Sequence, residues 1–252
     1  MKKNLFLLFV ILCMNQLTAQ NHLSLELQQI FHKAYTTNNA AMWEIGIQQL
    51  QQNYQQSKEP SLLLAIARAE NGLVGTYMGS KDLDKAEKVA NTAEEHLLEI
   101  LENMEDNADA NALYGGILGM QIGFSPMKAM WLGPKSNKYI SKALELEENH
   151  VIALYQKASS SLYTPVMFGG DVPKAIATFK QAINIYEQSG ESLDYNWGYL
   201  STLTGLGIAC MENNLTEEAI THFNKCLKIA PDFAWVKYQL LPSAEKRATE
   251  EN

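Results

Sequence analysis

The feature that most constrains the fold is a pattern of large and small residues near the C-terminus. A large, a large, a small and a medium residue recur at helical spacing, and a small residue and an aromatic four positions apart follow: Leu203, Leu206, Gly207 and Cys210, then Ala219 and Phe223. Small residues allow two antiparallel helices to approach closely. Proline cannot continue a helix, so Pro231 should end the second one. The pattern predicts a tightly packed helical hairpin.

Related units precede this one, and such self-similarity is the signature of a repeat architecture. The alanine-x3-phenylalanine element recurs at Ala175 and Phe179. The run 112–114 recurs as 153–155, and a ridge of alanines spaced by three or four residues marks a further helix: Ala86, Ala90 and Ala93. We expect one more hairpin between residues 23 and 54, turning at Asn38 and Asn39, and a closing helix from Phe233 to about Leu240.

Short polar side chains before the apolar runs predict where helices begin, because they can accept hydrogen bonds from the free N–H groups of the first turn. We expect Asp82 and Asp171 to act as such caps. Asn214 should act likewise, with Glu217 completing a capping box.

Together these units resemble the tetratricopeptide repeat (TPR) family, in the exported bacterial form. The resemblance implies an all-α, TPR-like right-handed superhelix of about five antiparallel helix hairpins plus a C-terminal capping helix. Residues 20–57 would form an N-terminal hairpin, and residues 58–252 the repeat array with its C-terminal cap. The family further implies that the first helix of each pair lines a concave groove, which binds a peptide or another protein.

The first 19 residues have the order of a secretory signal peptide. Lys2 and Lys3 precede an apolar run over residues 5–12, and Ala19 offers a small residue for cleavage. The run is too short for a membrane-spanning helix, which needs about 20 residues. We therefore predict a periplasmic or secreted protein. Lipid anchoring at Cys13 is the less favoured alternative, because the bulky Leu12 precedes it.

Charge and motifs narrow the function. The net charge of −8 disfavours nucleic-acid binding, because an acidic surface repels phosphates. No later stretch is apolar enough to span a membrane. The sequence carries no hydrolase, zinc-protease or phosphate-loop motif, and its histidines lack metal-ligand spacing. We expect no enzyme, no cofactor and no metal. A series of acidic residues predicts a solvated helix face: Glu94, Glu95, Glu99, Glu102 and Glu105.

Two linkers of similar sequence, residues 124–134 and 163–171, are predicted to lie side by side on one edge of the array. They carry an unusual number of apolar residues for loops: Phe124, Met127, Met130, Trp131, Met167 and Phe168. Methionine-rich surfaces suit adaptable binding. The alternative is that the two loops pack on each other and make the array rigid.

The groove offers a second candidate surface. Tyr114 and Tyr155 occupy equivalent places on successive first helices, with Gln121 and Ser159 nearby. The alternative is that these tyrosines pack between repeats.

The resulting prediction is an exported scaffold that binds another protein or peptide through the groove or the loop edge. A periplasmic carrier of a small apolar or aromatic ligand is the alternative. The sequence leaves open whether Cys210 and Cys226 form a disulfide or remain two buried thiols.

Overall fold

A computed structural model of the protein describes residues 24–251, with side chains to residue 250. These residues form eleven α-helices and no strand: α1 Leu25–Thr36, α2 Ala40–Ser57, α3 Pro60–Gly79, α4 Leu83–Asn103, α5 Ala108–Phe124, α6 Ala129–Leu146, α7 Val151–Tyr163, α8 Val172–Gln188, α9 Trp197–Glu212, α10 Thr216–Ile229 and α11 Leu241–Glu251. Successive helices pair as five hairpins, and α11 packs against α10. The all-α superhelix of hairpins is confirmed. The proposed signal peptide and Cys13 lie outside the described residues.

The predicted hairpin near the C-terminus is formed by α9 and α10. A Cβ atom built on Gly207 would lie 2.4 Å from Cε1 of Phe223. The ring of Phe223 is fully buried, so it packs directly on the backbone of α9. The contact between α8 and α9 is similarly close, since a Cβ on Gly205 would lie 2.8 Å from Cζ of Phe179. Small residues on α9 therefore receive aromatic rings from the helices on either side.

Two of the three predicted caps are confirmed. The Asp82 carboxylate accepts a hydrogen bond from the Lys85 N–H, and the Asp171 carboxylate accepts one from the Lys174 N–H. The prediction for Asn214 is wrong, because α10 begins later, at Thr216. Asn214 has a φ of 58° and makes the left-handed turn between the helices, a conformation that asparagine tolerates better than most residues.

Two segments are more helical than predicted. The first linker is short, because α6 begins at Ala129 and includes Pro134. Pro134 lies in the second turn, where its missing N–H removes one helical hydrogen bond, while Leu132 and Ile140 bury the inner face of the helix. At the C-terminus a π-helical turn, Val236–Leu240, leads into α11. The closing helical segment thus extends beyond Leu240.

The two ends of the superhelix meet. Helix α1 contacts α9, although four hairpin turns of chain separate them. Aromatic rings make this contact, with centroids 6.0 Å apart for Tyr35 and Trp197 and 5.2 Å apart for Trp43 and Trp197. Tyr35 also lies 5.1 Å from the ring of Phe233. In an open solenoid each repeat contacts only its neighbours, so this array is closed.

Within residues 24–251, no helix combines the length and apolar character that crossing a lipid bilayer would require.

Candidate functional site

The groove expected along the first helices is filled by the protein itself. Helices α5 and α9, which should line it, are buried on nearly all sides. The space left between them is a cavity of about 30 Å³, enough for about two water molecules. Arg68 and Trp197 line this cavity, and the guanidinium carbon of Arg68 lies 5.5 Å from the centre of the indole. A peptide has no room here.

Tyr114 and Gln121 point from α5 toward α4, and neither lines this cavity. The side chain of Tyr114 is fully buried, and its hydroxyl donates a hydrogen bond of 3.0 Å to Glu94. The Gln121 amide donates one of 2.7 Å to the other oxygen of the same carboxylate. Burial, together with the charge of Glu94, raises the pKa of the Tyr114 phenol far above its usual range. Tyr114 therefore packs between helices, which was the alternative to a role in binding. Glu94 was predicted to belong to a solvated face, but it joins α4 to α5.

Tyr155 and Ser159 are half-buried on α7. The ring of Tyr155 lies 5.9 Å from the ring of Phe179, in a tilted arrangement. Burial raises the pKa of the Tyr155 phenol, and hydrogen bonds with Ser159 and Ser201 partly offset this. Tyr155 thus contacts the neighbouring helices α8 and α9 and lines the small cavity, whereas the contact of Ser159 is within α7.

The exposed apolar surface is at the other predicted position. We call it the apolar edge and define it by six residues: Met127, Met130, Trp131, Val166, Met167 and Phe168. Their exposed fractions are 81%, 84%, 58%, 80%, 83% and 73% respectively. Phe124, which the sequence placed here, is half-buried and packs on the core. Single exposed apolar residues are common, but exposed apolar side chains gathered in one patch often mark an interaction site.

Helix pairing brings both parts of the edge to one side of the molecule. The imidazole of His150, at the start of α7, lies 3.1 Å from the carboxylate of Asp109, at the start of α5. Further along, a Cβ on Gly116 would lie 2.5 Å from the Gln156 amide. Helices α5 and α7 therefore run parallel, and the two turns that follow them emerge on the same side. This arrangement is compatible with the prediction that the two linkers are neighbours, which stays a prediction.

The backbone of the second turn is fixed by hydrogen bonds and close contacts. The Phe168 N–H donates to the carbonyl of Pro165 over 2.8 Å, and the Asp171 N–H donates to the carbonyl of Ser161 over 2.8 Å. Gly169 has a φ of 97°, where a side chain would be strained. A Cβ on Gly170 would lie only 1.7 Å from the carbonyl oxygen of Thr164. These contacts hold Val166, Met167 and Phe168 outward.

The first turn is held by its own backbone and by charge. The Lys128 N–H donates to the carbonyl of Ser125 over 2.9 Å, and the Lys128 ammonium lies 3.1 Å from the carboxylate of Glu87 on α4. The apolar residues beside it, Met130 and Trp131, stand on the first turn of α6. The backbone of both turns is therefore already ordered before a partner binds, which favours affinity.

A second surface feature is a cleft of about 490 Å³ between α4 and α6. Its lining is mixed: Leu98, Leu101 and Tyr139 are joined by Glu102, Glu105, Asn111, Lys138 and Lys142. The Lys142 ammonium lies 2.8 Å from the carboxylate of Glu105. The cleft was not predicted from the sequence, which assigned two of its lining residues, Glu102 and Glu105, to a solvated acidic face.

Known helical repeat proteins share this architecture. A family model described as "Tetratricopeptide repeat" matches residues 200–233, the α9–α10 hairpin. The HusA haemophore from Porphyromonas gingivalis has a similar fold, with a TM-score of 0.61 at 18% identity, over 77% of this chain and 96% of that chain. TTC0263, a thermophilic TPR protein in Thermus thermophilus, aligns with a TM-score of 0.58 at 12% identity, over 87% of this chain and 97% of that one. No curated protein matches the sequence.

Proposed function

We propose that this tetratricopeptide repeat protein is an interaction scaffold that binds another protein or peptide at its apolar edge. The observation that carries the proposal is the exposure of six large apolar side chains in or next to two turns that emerge on the same side of the molecule. Binding would remove this surface from water, which is the main favourable term in protein association. Trp131 and Phe168 are the expected anchors, because aromatic residues dominate binding energy at interfaces.

The edge is a better candidate than the groove for a physical reason. In an open TPR array the concave face is free, whereas here α1 contacts α9 and the cavity described between α5 and α9 is small, about 30 Å³. Tyr114 would need the repeats to separate before it could touch a partner. The outward residues of the edge need no such opening.

We further propose that the protein is exported. The charge and apolar order of residues 1–19 supports this, as does the fold shared with a protein whose name describes it as a haemophore. N-terminal sequencing of the protein from its native source tests the proposal. A mature chain that begins at Gln20 supports it, and a chain that still begins at Met1 contradicts it.

The scaffold proposal is tested by truncating both anchors. The purified protein is used to capture partners from a native extract, and the captured partner is then titrated against the wild type and the Trp131→Ala/Phe168→Ala variant. Loss of a hot-spot residue costs about 2 kcal/mol or more, which is roughly 30-fold in Kd for each anchor. Substitution of such exposed residues should change stability by no more than about 0.5 kcal/mol.

Tyr238→Ala is the matched control. Tyr238 is 70% exposed, but it lies on the π-helical turn near α11. This variant should bind as the wild type does. If the double variant binds equally well, the edge is not the binding surface. If it melts at a much lower temperature, the two rings are structural.

A second candidate is the carriage of a small apolar or aromatic ligand. The cleft of about 490 Å³ between α4 and α6 favours it, because ligand pockets commonly measure about 300–1,000 Å³. Haemin is a suitable probe, since the haemophore with a similar fold is named for that cargo. Its binding can be followed by absorbance in the wild type and in Leu98→Arg, which would obstruct the cleft. Saturable binding that Leu98→Arg abolishes supports a carrier, and absence of binding removes this candidate.

A further inference from the structure

Three side chains that commonly ligate metals meet on the last hairpin, outside the residues that define the apolar edge. Among the described residues, one ligand atom each from Cys210, Glu218 and His222 lies within 4.8 Å of the other two. Cys210 belongs to the last turn of α9, whereas the other two stand on α10. They were missed in the sequence because the three ligands come from two helices and follow no familiar motif spacing.

Helix geometry explains the grouping. Glu218 and His222 are four positions apart, so they stand one above the other on the same face of α10. The turn at residues 213–215 folds α10 back along α9, and Cys210 and Glu218 lie at similar distances from this turn. The side of α10 that carries the carboxylate and the imidazole therefore faces the thiol.

We infer that Cys210, Glu218 and His222 form a zinc-binding site, independent of the proposed function. A thiolate, an imidazole and a carboxylate are all ligands that Zn²⁺ accepts at about 2.0–2.3 Å. Atoms already within 4.8 Å of one another need only side-chain adjustment to reach a shared ion. Three protein ligands leave the fourth tetrahedral position for water, which reaches the site on the side of the exposed Glu218.

The charges of the three groups suit a divalent cation. A thiolate and a carboxylate together neutralise Zn²⁺, and the imidazole ligates in its neutral form. The thiolate forms when zinc binds and displaces the thiol proton to solvent, as is usual when metals bind cysteine.

The ligands have few competing partners. Within residues 24–250, the Cys210 thiol and the His222 ring make no hydrogen bond to another residue, whereas the Cys226 thiol lies 3.7 Å from the Thr204 hydroxyl. Glu218 pairs with the Lys180 ammonium at 2.9 Å, and both side chains are about half exposed. Exposed ion pairs of this kind contribute little, so a metal ion can take the carboxylate from the lysine.

The two buried cysteines of this hairpin give a matched test. Cd²⁺ replaces zinc in thiolate sites and produces a charge-transfer band in the ultraviolet when it bonds to sulfur. We expect one Cd²⁺ per full-length chain with such a band, displaced by Zn²⁺. Cys226→Ser should keep the band and Cys210→Ser should lose it. Absence of the band in the wild type, or its persistence in Cys210→Ser, would overturn the zinc site.

Two surface variants test the site without disturbing the core. Glu218→Gln should weaken zinc binding by roughly tenfold or more, since even the loss of a partner that only orients a ligand commonly costs about 10–100-fold in metal affinity. Lys180→Met should strengthen binding, because the competing cation is gone. Both affinities are measured by calorimetric titration with Zn²⁺. Equal affinities for wild type, Glu218→Gln and Lys180→Met would show that zinc binds elsewhere and would refute the assignment.

Discussion

The contact between Gly207 and Phe223 allows a quantitative test of how the repeats pack. In Gly207→Ala the new methyl group would lie 2.4 Å from a ring carbon of Phe223, whereas carbons pack at about 3.5–4.0 Å. The ring is fully buried and cannot move into solvent, so α9 and α10 must separate by roughly 1 Å to restore that spacing. Overpacking of this kind costs about 1–3 kcal/mol.

Replacing glycine within a helix also returns about 0.5–1 kcal/mol of backbone entropy. The net loss for Gly207→Ala is therefore roughly 1 kcal/mol, which lowers the Tm of a chain this size by about 2–4 °C. Gly207→Leu, with three more carbons, should lose about 3 kcal/mol or more.

Gly75 supplies the control, because it lies within α3 and a Cβ there would meet nothing within 4 Å. Gly75→Ala gains the entropy without the clash, so its free energy of unfolding should rise by about 0.5–1 kcal/mol. Thermal melts followed by far-ultraviolet circular dichroism compare the variants. The reasoning fails if Gly207→Ala is stabilised as Gly75→Ala is, since the two helices would then not touch at Gly207.

Two further predictions concern stability. The hydrogen bond to Glu70, 2.9 Å long, raises the pKa of His96 above its usual value of 6.5. Protonated His96 therefore stabilises the folded state fully below pH 6.5, and this stabilisation is lost as the pH rises through the pKa of His96 in the folded state. The Tm difference between wild type and His96→Gln should therefore shrink as the pH rises above 6.5, and a constant difference would contradict the ion pair. Trp197→Ala removes the ring that meets Trp43 at 5.2 Å, so we expect a loss of about 3 kcal/mol and a larger radius of gyration in small-angle X-ray scattering. An unchanged radius would mean that the ends stay together without this contact.

The hairpins could be predicted from sequence because their causes are local. Helical spacing of apolar residues, alanine ridges and caps such as Asp171 each act within a few residues. The start of α6 was missed because Pro134 suggests a break, whereas burial of Ile140 and its neighbours outweighs one lost hydrogen bond. For the same local reason Asn214 resembled a cap, although the turn required its left-handed conformation.

The candidate sites also differ in whether their causes are local in the sequence. The apolar edge was predictable, since Met127 and Phe168 belong to turns whose neighbourhood follows from successive hairpins. The occupied groove was not, because it depends on Trp43 meeting Trp197, residues far apart in sequence with no local signal of contact. Helix α5 is also apolar on nearly all sides. Its sequence therefore does not show which of its faces is exposed, and the burial of Tyr114 could not be predicted. The grouping of Cys210 with His222 depends on the rotation of α10 about its axis, which spacing alone does not determine.

The closure between α1 and α9 also determines how this array can evolve and respond. An open superhelix can stretch or tighten, and evolution can lengthen it by duplicating a repeat. Here one more hairpin would separate Trp43 from Trp197, so the closing contact fixes the number of repeats. The same contact prevents the superhelix from changing its pitch around a bound peptide. New specificity can arise at the outward turns, where substitutions leave the closing contact undisturbed.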